Sequence, residues 1–135
     1  MEHSPTRIGF HVRLKTDFAA AVARVTTALK AEGFGVLTEI DVQATLKRKL
    51  GADFRPYKIL GACNPLLAHQ ALSLEPAAGL LLPCNVVVDE AAPGVIEVAL
   101  ADPVAMLSVA GHPQLEPVAQ AARERLARVA QALEA

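Results

Sequence analysis

The chain has 135 residues and a net charge of −1; 53% of it is apolar, 4% aromatic, and it holds two cysteines and no Trp. That length suits one domain, residues 1–135, with a core of Ala, Val and Leu that needs no metal or disulfide staple. The same figures argue against nucleic-acid binding by base stacking or by a basic field, and no run reaches the roughly 18 apolar residues of a membrane span.

The opening residues Met1 to Pro5 lack the basic-then-apolar layout of a secretory leader. Cys63 and Cys84 are too few for a disulfide scaffold, so a cytoplasmic protein with reduced thiols is expected.

Residues 6–15 alternate, with Ile8, Phe10, Val12 and Leu14 on one face and Arg7, His11, Arg13 and Lys15 on the other. This predicts a half-buried strand. Thr16 is placed to cap a helix carrying Phe18, Val22, Val25 and Leu29, and Gly33 supplies its left-handed stop. Residues 34–40 read as a second strand, with Val36, Thr38 and Ile40 on one side and Leu37 and Glu39 on the other. Asp41 caps a short helix closed by Gly51, whose Lys47-Arg48-Lys49 run is read as a solvated face.

Tyr57 to Cys63 reads as a third strand, followed by Asn64-Pro65, a cap with proline at the first helical position. That helix is expected to run to Leu74. Residues 79–89 suit a central strand interrupted at Pro83, residues 90–94 a turn, and Val95 to Ala101 the returning strand of a hairpin. After a loop around Gly111-His112-Pro113, a last helix carries Leu115, Val118, Ala122, Leu126, Val129 and Leu133, with Glu124 and Arg128 spaced to pair. The predicted class is α+β: a largely antiparallel sheet of about five strands, two long helices on one face, and short inserted helices.

The Cys-Asn dipeptide occurs twice, in Gly61-Ala62-Cys63-Asn64-Pro65 and in Pro83-Cys84-Asn85. Cys63 precedes a helix N-terminus, whose positive end favours a thiolate or a bound anion; the ordinary alternative is a buried thiol beside a plain cap. Glu39 and Asp41 are carboxylates near one strand end, fit for acid–base work or as hard-metal ligands, with the ordinary alternative a cap at Asp41 and an ion pair from Glu39 to Arg7, Arg13 or His11. No C-x-x-C spacing, phosphate loop, dinucleotide fingerprint or hydrolase triad is present, so no metal and no cofactor is expected.

Three stretches, Gly33-Phe34-Gly35-Val36-Leu37-Thr38-Glu39-Ile40-Asp41, Tyr57-Lys58-Ile59-Leu60-Gly61-Ala62-Cys63-Asn64-Pro65 and Leu82-Pro83-Cys84-Asn85, together resemble the bacterial and archaeal family called domain of unknown function 302. The resemblance implies a TATA-binding-protein-like order of strand, helix, four strands, helix, and a homodimer; it implies no activity. The functional expectation is a non-catalytic, homodimeric module for a small ligand or anion, held by Glu39, Gly61, Cys63, Asn64, Cys84 and Asn85. The alternatives are a thiol-dependent enzyme or redox protein with Cys63 as nucleophile, and a structural or interaction domain.

Overall fold

The structure is a computed structural model and describes residues 8–134. Expectations placed on residues 1–7, including Arg7 as a partner for Glu39, lie outside that range. Five strands, β1 (Gly9–Lys15), β2 (Gly35–Asp41), β3 (Tyr57–Cys63), β4 (Cys84–Ala92) and β5 (Val95–Ala101), form one sheet in the order β1-β5-β4-β3-β2. Every neighbouring pair is antiparallel. The α+β class and the sheet expected from the sequence are both present.

Helices α1 (Phe18–Ala31) and α5 (Glu116–Glu134) pack on each other and on the sheet. Val25 and Leu29 of α1 and Leu126 and Val129 of α5 are fully buried against Val86, Val88, Ile96, Val98 and Leu100. Ala21 of α1 is fully buried in the same cluster, where its small side chain permits close packing in a core with few aromatic rings.

Asp17, not Thr16, caps α1: its carboxylate accepts from the Ala20 N–H at 2.8 Å. Gly33, at φ 85°, closes the helix with the Phe34 N–H donating to the Leu29 carbonyl, a six-to-one bond that a side chain at that φ would strain. Asp41 caps α2 (Val42–Leu50) and Asn64 caps α3 (Pro65–Leu74), both as expected.

Three local expectations are corrected. Residues 79–82 are not strand, because Pro76–Leu81 folds as a 3-10 segment and β4 begins only at Cys84, after a cis Leu82–Pro83 bond. The loop after β5 contains a further helix, α4 (Pro103–Ser108), capped by Asp102 through the Val104 N–H. Arg128 pairs with Glu32 of the α1 terminus at 2.8 Å and not with Glu124, since the packing of α5 on α1 brings that carboxylate within reach.

Candidate functional site

β2 carries a register shift between Val36 and Thr38. A one-residue insertion reverses the side-chain alternation beyond it. Val36 therefore packs toward the core, whereas Thr38 and Ile40 sit opposite Gly61 and Ile59 on the other face of the sheet. Glu39, opposite Leu60, is turned to the helix side, where its Oε1 accepts from Lys58 Nζ at 2.5 Å. The expected partners Arg13 and His11 are on β1, at the far edge of the sheet. Glu39 borders none of the hollows around the cysteines.

The other five expected residues gather at one end of β3 and β4. Ala62 is the ladder partner of Cys84, and Gly61 that of Asn85. Cys63 and Asn64 share a narrow slot with Cys84, walled by Phe34, Leu67 and Ala71, with a volume of about 40 Å³. Such a space accommodates one or two waters; small-molecule sites start at roughly 300 Å³. Asn85 and Cys84 border an adjoining groove of about 180 Å³ that shares Leu82, Pro83, Pro103 and Leu107 with the slot.

Gly61 is required here. A Cβ at this position would overlap the Thr38 hydroxyl and lie 2.8 Å from Pro83 Cγ. It lets β2 and the Pro83 ring close over the strand, and it does so without a positive φ. The Asn64 carbonyl oxygen is spent on its cap, accepting from the Leu67 N–H at 3.2 Å. No cation lines the slot. An anion therefore has nothing here to hold it beyond a helix terminus that is already capped.

The two thiols are free and differ in environment. Cys84 packs against the core, and burial, reinforced by the nearby Cys63, pushes its thiol up to about 11. Cys63 lines the same slot and is itself only half-buried. Among the described residues no cluster of three or more His, Cys, Asp or Glu is arranged to hold a metal, and no helix is long and apolar enough to cross a membrane.

Two features were not anticipated. The first is the sheet face away from α1 and α5, where Ile40, Ile59, Val87, Ala99 and Ala101 form an apolar centre. Arg13 and Glu97 pair on it at 2.6 Å, and Arg55 grips Asp89 at 2.6 and 3.2 Å while stacking 4.6 Å over Phe54. The second is a cavity of about 460 Å³ between α4 and the start of α5 that includes His112. Asp102-Pro103 repeats the cap-then-proline signal of Asn64-Pro65 and was the available clue to α4.

The family described as "Domain of unknown function DUF302" matches residues 10–133. This chain belongs to the DUF302 family. A crystal structure of an uncharacterized conserved DUF302 protein from Bacillus stearothermophilus is similar to it, with 30% sequence identity and a TM-score of 0.85 over 95% of this chain and 99% of that one. No curated protein matches. Membership thus extends from β1 through α5, which includes the C-terminal helix that the three motifs leave out.

Proposed function

We propose that this DUF302 domain is a non-catalytic binding module that works as a homodimer in the cytoplasm, with no nucleic-acid partner. The observation that carries the dimer is the uncovered sheet face. Five strands at about 4.8 Å spacing and seven residues at about 3.3 Å present a patch of roughly 24 by 23 Å, about two thirds of one side of a standard interface. Its centre is aliphatic, while its paired charges lie on β1–β5 and at Arg55–Asp89. A second copy fits this face because its aliphatic centre is self-complementary about a two-fold axis, with the Arg13–Glu97 and Arg55–Asp89 pairs beside it.

The free thiols fit a reducing compartment. Thiol catalysis receives no support from the site, because the Cys84 thiol is pushed up and the slot that it shares with Cys63 is too narrow for a substrate. Sedimentation equilibrium tests the dimer. The native chain is expected at twice its monomer mass and Val87→Lys at the monomer mass with an unchanged circular dichroism spectrum. A native chain that sediments as a monomer at micromolar and higher concentrations ends the homodimer proposal.

A further inference from the structure

The cysteine slot is too small for a metabolite, but the cavity between α4 and α5 is not. At about 460 Å³ it is within the range of small-molecule sites. Its walls are aliphatic, from Val104, Leu107, Leu115 and Ala119, and its polar groups are Ser108, His112 and Glu116.

Those three groups have distinct roles available to them. His112 Nδ1 is buried with no hydrogen-bond partner among the described residues. A proton there would leave a sealed N–H with no acceptor, so the neutral ring carries its proton on Nε2, the nitrogen that is not sealed. Ser108 Oγ already donates to the Ala105 carbonyl at 2.8 Å, and its lone pairs remain as acceptors. Glu116 is an exposed lining residue whose carboxylate can turn to the cavity, and no Lys or Arg lines it. The site thus offers one N–H donor, a carboxylate and a hydroxyl oxygen as acceptors, and an aliphatic lining with no aromatic ring. A carboxylate ligand would face Glu116 without a counter-charge.

We infer that this cavity binds a compact aliphatic carboxamide, its carbonyl accepting from His112 Nε2–H and its amide N–H groups donating to Glu116 and Ser108. The assignment deepens the binding-module proposal, resting on it only in that the domain binds and does not turn over its ligand. Isovaleramide and its acid counterpart isovalerate are the probes, and the full-length chain labelled with nitrogen-15 is the sample. For a ligand of this size a dissociation constant on the order of 1 mM is expected.

Isovaleramide should shift the amide signals of Ser108, Gly111, His112 and Leu115, and isovalerate should not. Glu116→Gln should weaken the amide by about tenfold, through loss of a charge-assisted bond, and admit isovalerate. Ala119→Phe, which fills the cavity, should abolish the shifts while the remaining spectrum stays dispersed. Unshifted signals at saturating isovaleramide, equal binding of the acid, or binding that survives Ala119→Phe would each overturn the assignment. A dimer with no shifts defeats the ligand site alone, and a monomer that binds isovaleramide defeats the homodimer alone.

Discussion

Arg13 on edge strand β1 donates from Nε to Glu97 Oε1 of β5 at 2.6 Å, and the Glu97 residue retains only 7% of its exposure. The carboxylate is shielded on the apolar sheet face by its neighbours, so Arg13 compensates a charge that water barely reaches. Arg13→Ala is expected to cost about 1–3 kcal/mol, because the acid loses a charged partner while still buried. The double change to Arg13→Ala and Glu97→Gln should recover part of that loss. Urea denaturation of the two variants measures both effects.

Gly61→Ala tests the close approach of three segments. The added methyl has no room between the Thr38 side chain and the Pro83 ring, so β2 or the start of β4 must move. A loss of roughly 1–3 kcal/mol is expected, of the kind seen on overpacking. Thr38→Ser leaves the hydroxyl in place and should not rescue it, whereas Thr38→Gly in the same chain should recover only part of the loss, because the Pro83 overlap remains. Thermal unfolding separates these outcomes.

Cys84 makes a pH prediction whose sign follows from burial. Its folded-state value is raised to about 11, above the ordinary thiol value, so the folded state holds its proton more tightly than the unfolded chain does. Stability from this group is complete below the unfolded value and is lost as pH rises through the folded one. The melting temperature of the native chain should therefore fall between about pH 9 and pH 11 more steeply than that of Cys84→Ala. Alkylation of Cys84 by iodoacetamide should stay slow until the pH approaches 11.

The Asp102 cap links the end of β5 to the wall of the α4 cavity. Its Oδ1 accepts from the Val104 N–H at 2.9 Å, and its Oδ2 accepts from Arg123 of α5 at 3.1 Å. Asp102→Ala removes both contacts and should cost on the order of 1–2 kcal/mol. Hydrogen exchange of the amides in α4 should quicken more than that of β4 or β5, since the cap is local to that short helix.

Local chemistry determined much of this protein. The alternation Phe10, Val12, Leu14 specified β1, the spacing Phe18, Val22, Val25, Leu29 specified α1, and Asn64-Pro65 marked the start of α3, because each signal is carried by residues a few positions apart. The tertiary structure alone decided the placement of β1 and β2 at opposite edges, which parts Glu39 from Arg13 and gives it to Lys58. It also decided the bulge at Leu37, the narrowness of the slot beside Cys63, and the cavity at His112. Strand order and cavity volume arise from contacts between segments tens of residues apart, where packing and loop closure, not local propensity, select the arrangement.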